Sequence, residues 1–175
     1  MRDLSASRHC PLCGAPLATR RPPGDGRDRL VCGACGFVLY LGLKVAAGTV
    51  PLLDGRVVLI RRGVPPGEGL WSFPCGFAEI DETLEQCAVR ETREEAGIEV
   101  RLGRLLGAYS YPPRGGAGGR VAVVCYAAEA AGGEPRAGDD AREVGLFLPD
   151  AIPWEELAFA SSRDALRDWL SHLRA

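Results

Sequence analysis

Large apolar side chains are unevenly spread along this chain. Residues 1–40 hold few of them and carry a Pro/Gly/Arg-rich interior, TRRPPGDGRDR, too little to build a core. From Lys44 onward apolar runs alternate with turn signals. VAAGTVPLL, then Asp54-Gly55, then RVVLIRR predicts a hairpin over residues 45–62, because Asp-Gly supplies the positive φ that a tight type I′ turn requires. VPPGEGLWSFPCG reads as a loop with a short extended piece at residues 71–73. ETLEQCAVRETREEAGI predicts a helix over residues 84–96, with Thr83 and Gln86 fitting a capping box and Gly97 a C-terminal stop. VRLGRLLGAYSY and RVAVVCYAAEA read as strands separated by a flexible PPRGGAGG loop, and EVGLFL as a further short strand. In SSRDALRDWLSHL, Ala165, Leu166, Trp169, Leu170 and Leu173 recur at helical spacing, which predicts an amphipathic closing helix capped by Ser161 or Ser162. Strands and helices interleave, so the expectation is an α/β or α+β layered domain.

Length and charge narrow the picture. A chain of 175 residues accommodates one ordinary domain and a small appended module, here divided as 1–40 and 41–175. A net charge of −2 with 25% charged residues excludes a global field that would steer the protein to nucleic acid or anionic lipid. The opening MRDLSASRH lacks a signal-peptide core, and no apolar run approaches the roughly 20 residues that span a bilayer. A soluble, cytoplasmic protein without a membrane partner is expected.

Seven cysteines change the reading of the N-terminal segment. Four fall into two pairs, Cys10/Cys13 and Cys32/Cys35, eighteen residues apart and each followed by glycine. This C-x2-C-x18-C-x2-C spacing matches a zinc ribbon, where each pair forms a knuckle and the glycine takes a left-handed turn beneath the thiolates. Two disulfides or four free thiols are the alternatives. Four thiolates close the tetrahedral shell, so a bound Zn2+ would be structural. Arg20, Arg21, Arg27 and Arg29 offer a nucleic-acid contact, although a solvated basic loop is the favoured account.

The helix over residues 84–96 crowds three carboxylates together. At about 100° per residue, Glu91, Glu94 and Glu95 share a sector roughly 100° wide, where like charges repel. Clustered hard oxygen ligands are what Mg2+ or Mn2+ seeks, and such an ion leaves coordination positions for substrate phosphates. FPCGFAEIDE adds glycine, a sharp loop and Glu82 just before the helix.

GFAEIDETLEQCAVRETREEAGI resembles the Nudix box, G-x5-E-x7-R-E-U-x-E-E-x-G-U, with Gly76, Glu82, Arg90, Glu91, Glu94, Glu95, Gly97 and Ile98 in register. Thr92 departs from the aliphatic residue the pattern prefers, and Cys75 replaces a glycine often found before Gly76. A zinc ribbon ahead of a Nudix domain is similar to the layout of the NADH pyrophosphatase group. The resemblance implies a Nudix α-β-α sandwich with a mixed sheet, and metal-dependent hydrolysis of a nucleoside diphosphate linked to a moiety X. It implies Glu91, Glu94, Glu95 and the Gly76 carbonyl as ligands for magnesium or manganese. Arg90 and Glu82 would orient the carboxylates, and the general base would be Glu91 or a downstream acid, with Glu143 first and Asp139 or Asp140 second.

The substrate is less legible. The S-Q-P-W-P-F-P signature of NADH pyrophosphatases is absent from the corresponding EVRLGRLLGAYSYPP, whereas Pro113, fifteen residues past Ile98, resembles the proline of ADP-ribose pyrophosphatases. An ADP-ribose-like or nucleotide-sugar substrate is therefore favoured. The alternatives are an NADH pyrophosphatase, or a ligand-sensing Nudix module whose ribbon binds nucleic acid or protein. Arg61 and Arg62 are candidates for a phosphate clamp, Trp71, Phe73, Tyr109 and Tyr111 for base stacking, and a homodimer is left open.

Overall fold

The computed structural model describes residues 7–111 and 120–173, which fall into two compact units meeting in sequence between Leu43 and Lys44. The loop signal PPRGGAGG, including Pro112 and Pro113, lies outside the described residues.

The first unit is a three-stranded antiparallel sheet ordered β1-β2-β3, with β1 at Leu17–Arg20, β2 at Arg29–Cys32 and β3 at Val38–Leu39. Two of its arginines are paired internally, Arg21 with Asp28 at 3.0 Å and Arg29 with Asp25 at 2.8 Å. The Arg29 guanidinium also lies 5.1 Å from the centre of the Tyr40 ring.

The second unit is an α-β-α layered domain. Its mixed sheet is ordered β10-β5-β4-β9-β8, with β4 at Lys44–Leu53, β5 at Arg56–Arg62, β8 at Ile98–Tyr111, β9 at Val121–Gly133 and β10 at Ala141–Phe147. β4 and β9 run parallel, and the remaining neighbours run antiparallel. Asp54 and Gly55 have φ of 49° and 74°, as the tight turn requires. The hairpin opens soon after that turn: β4 and β5 pair only at Leu52↔Val57 and Leu53↔Arg56. Into the opening fit two short strands, β6 at Trp71–Ser72 against β5 and β7 at Cys75–Phe77 against β4. β7 corrects the expectation of a loop there; a three-residue strand has no periodicity to read, and its pairing comes from the splayed hairpin.

Alternation along β5 separates the two faces. Val58 and Ile60 pack with Ala96 of helix α1 (Leu84–Ala96), while Val57 and Leu59 join Trp71, Phe73, Ala165, Leu166 and Trp169 beneath helix α2 (Ala160–Leu173). α2 starts one residue earlier than its expected cap. Ser161 and Ser162 are therefore buried inside its first turn, with Ser162 Oγ 3.1 Å from Ser72 Oγ. Trp71 and Phe73 are core residues, and the hydroxyls of Tyr109 and Tyr111 donate to Asp168 and Asp164. These four aromatics are committed to packing and to holding α2. Among the described residues, no helix is long and apolar enough to cross a membrane.

Candidate functional site

The acidic helix forms where its caps dictate. Thr83 Oγ1 accepts from the Gln86 N–H at 3.2 Å, and Gln86 Oε1 accepts from the Thr83 N–H at 2.8 Å, closing the capping box. At the other end Gly97, φ 72°, donates its N–H to the Arg93 carbonyl. A loop then covers the exposed carbonyls: the Arg136 N–H donates to Ala96 O at 2.9 Å and the Gly138 N–H to Glu95 O at 3.2 Å.

Arg90 gathers three of the acids. Its Nη2 and Nε reach the two oxygens of Glu82 at 2.6 and 3.0 Å, and its Nη1 lies 2.7 Å from Glu91 and 2.8 Å from Glu94. Nη2 also donates to the Phe77 carbonyl at 3.2 Å, tying the helix to the end of β7. Glu95 is nearly buried, at 4% exposure, and accepts from the Cys75 N–H at 2.8 Å. The carboxylates thus share one face without converging on a point: Arg90 pairs with Glu82, Glu91 and Glu94, and Glu95 takes a backbone N–H instead.

Gly76 makes room for this arrangement. A Cβ there would overlap the Glu91 carboxylate, so only glycine lets that group lie against β7. The Gly76 carbonyl faces α1, with Cys87 Sγ at 3.6 Å.

The electrostatics divide the acids. Hydrogen bonding to Arg90, then to the Glu79 N–H, holds Glu82 down to about 2. Burial raises Glu91 despite Arg90, and burial pushes Glu95 up to about 7, helped by the charges of Glu91 and Asp140 and opposed by the Cys75 N–H and Arg62. For both Glu91 and Glu95, burial leaves the ionised form under-stabilised by the protein's own groups. A hard oxygen donor set with this deficit fits a divalent cation.

Not every sequence candidate reaches this place. Glu143 pairs with Arg61 across β10 and β5, at 3.5 Å, and strand alternation turns both to the face opposite α1, where Arg61 lies 5.1 Å from the Trp71 ring centre and 2.9 Å from Glu156. Arg62, one residue on, takes the α1 side. Its guanidinium stacks 5.3 Å from the Phe159 ring centre and donates to Pro66 O at 2.8 Å. Asp140 sits in the turn beside the helix end, where its carbonyl accepts from the Gly63 N–H at 2.6 Å; the neighbouring Asp139 has φ 45°. The sequence puts Glu143 ahead of Asp139 or Asp140, and it carries no signal for the Cys75 N–H, which is a main-chain group.

In the first unit Cys10, Cys13, Cys32 and Cys35 are free thiols whose sulfurs lie within 4.8 Å of one another. The Sγ–Sγ separations of 3.5–3.6 Å sit near the ~3.8 Å expected between sulfurs of a tetrahedral zinc thiolate centre. Gly14 and Gly36 take φ of 73° and 77° and donate to Cys10 O and Cys32 O, forming the two knuckles. The backbone N–H groups of Cys35 and Ala34 hold Cys32 down to about 6, favouring its thiolate. The quartet fits zinc.

Comparison with known proteins gives the same division. A family model described as the NUDIX domain matches residues 42–171, and one described as the Nudix N-terminal zinc ribbon matches residues 8–41. An ADP-ribose pyrophosphatase of Methanocaldococcus jannaschii is 39% identical over 123 residues, 70% of this chain and 71% of that one. A NAD-capped RNA hydrolase NudC of Chromobacterium violaceum is 31% identical over 95% of this chain, which spans only 60% of its length. A crystal structure of a NUDIX hydrolase from Nitrosomonas europaea superposes with a TM-score of 0.84 at 32% identity, covering 95% of this chain and 92% of that one.

Proposed function

Because this chain belongs to the Nudix hydrolase family, we propose that it hydrolyses a nucleoside diphosphate linked to a second moiety, with ADP-ribose or a nucleotide sugar as the favoured substrate class. The observation that carries the reading is the under-compensated acid cluster of Glu91 and Glu95, held open by Gly76 and framed by the Arg90 network. Water oxygen joins one phosphorus, the anhydride P–O bond breaks, and a nucleotide and X-phosphate leave, with one proton released.

Glu91, Glu94 and Glu95, with the Gly76 carbonyl, would hold Mg2+ or Mn2+, which when bound neutralises diphosphate charge and lowers the pKa of water. Arg90 and Glu82 orient these carboxylates, so that the site spends little reorganisation on assembly. Arg62, on the α1 side of β5 and held by Phe159 and Pro66, offers its remaining N–H groups to a phosphate oxygen. Glu91 is the first candidate for the group that takes the released proton, and Asp140, in the turn whose Gly138 N–H donates to the Glu95 carbonyl, is the second. The four ribbon thiolates would hold a structural Zn2+.

A second reading has support of its own: NudC of Chromobacterium violaceum matches the ribbon and the following domain together, over 95% of this chain. The deciding experiment is a panel of ADP-ribose, nucleotide sugars, NADH and NAD-capped RNA, assayed with Mg2+ by product formation. Turnover of ADP-ribose that Glu94→Gln abolishes supports the first reading, and preference for NADH or capped RNA supports the second. Tight binding without turnover across the panel replaces both with a sensor.

A further inference from the structure

We propose that Thr49, in the middle of β4, is a positioning residue that sets the carboxylate helix against β7, acting through a buried hydroxyl chain with Thr92. This rests on reading the acid cluster as a divalent cation site. Both threonines are fully buried. Thr92 Oγ1 donates its one proton to the Ala88 carbonyl at 2.7 Å, so the Thr49 hydroxyl, 2.7 Å from Thr92 Oγ1, must be the donor of that second bond.

The backbone of Thr49 is committed to the other half of the site. Its N–H donates to the Pro74 carbonyl at 3.1 Å, and the next residue, Cys75, holds Glu95 through its own N–H at 2.8 Å. One residue further, Gly76 faces Glu91. Thr92 lies between Glu91 and Glu95 on α1, so Thr49 grips both walls of the cluster, one by its side chain and one by its main chain. Neighbouring Gly48 allows that grip: a Cβ there would lie 2.6 Å from the Cys75 Cβ and collide with Pro74 O. An aliphatic residue at 92, as the Nudix box prefers, would hold the helix by contact alone, which lacks direction. Two hydroxyls in line fix the rotation of the helix.

The test measures Mn2+ binding to the zinc-loaded full chain by the electron paramagnetic resonance of free Mn2+, alongside thermal melts, for Thr92→Val, Thr92→Ser, Thr49→Val and the double valine variant. Thr92→Val strands a buried donor on Thr49 and should melt lowest; the double variant strands nothing and should recover most of the lost stability. If the hydroxyls position the site, Mn2+ affinity stays down about tenfold in the double variant despite its recovered melt, and Thr92→Ser retains it. Mn2+ affinity within about twofold of the unchanged chain in a folded double variant overturns the proposal, because the pair is then core filling only. Should Thr92→Val not fold, the double variant and Thr92→Ser carry the comparison. Failure of the unchanged chain to bind Mn2+ overturns the cation reading and this proposal together, a result distinct from equal binding by the two.

Discussion

Gly76 and Glu95 show how single residues set the chemistry. Replacing Gly76 by alanine puts a Cβ into the Glu91 carboxylate, which must swing away from Arg90. The expected outcome is a loss of kcat/KM of about 100-fold with an unchanged circular dichroism spectrum, since misplacing a reacting group by about 1 Å costs that much without unfolding anything. Glu95 has a pH signature. Its pKa is about 7 in the folded chain, against the ordinary 4.5. Below pH 4.5 both states are protonated; as pH rises from 4.5 to 7 only the unfolded state gives up the proton, so this group's contribution to stability is lost across that window. Thermal melts of the cation-free chain should therefore fall over that range, by up to about 3 kcal/mol, and Glu95→Gln should flatten the profile. Glu82, held low by Arg90, acts in the opposite sense: its contribution is present above its ordinary 4.5 and lost as pH falls toward 2.

At the scale of elements, the acidic helix was legible because its signals are local. Thr83, Gln86 and Gly97 each act within four residues, and the structure places the helix ends where those residues put them. Thr92 was only an oddity in the sequence, since its partner lies 43 residues earlier, on β4. Glu143 and Asp140 were equally acidic as letters; the register of β10 on β5 turns Glu143 to the far face, while Asp140 lies in the turn before β10, whose Gly138 N–H donates to the Glu95 carbonyl. On the proposed role as proton acceptor, Asp140→Asn should lower kcat by about 100-fold or more, whereas Glu143→Gln should leave kcat within about twofold. Steady-state kinetics at saturating Mg2+ checks both.

At the scale of the whole molecule, the seven cysteines divide by environment. Four belong to the ribbon, and the other three, Cys75, Cys87 and Cys125, lie in the layered domain, two of them fully buried. Chelation of zinc from the folded chain should expose four further thiols to a thiol reagent, with Cys87 and Cys125 reacting only on denaturation. Seven thiols reactive only together, or none released by chelation, would overturn the zinc assignment. The sequence by itself determined whatever depends on near neighbours: two cysteine knuckles, one capped helix carrying three clustered acids, and the Asp54-Gly55 turn. Tertiary structure decided the rest, because β7 exists only where a splayed hairpin offers it partners, and because which acid meets which follows from strand register. The crowding of Glu91, Glu94 and Glu95 could be read from spacing alone, but the burial that sets Glu91 and Glu95 apart from the exposed Glu94 comes from β7 packed against the helix.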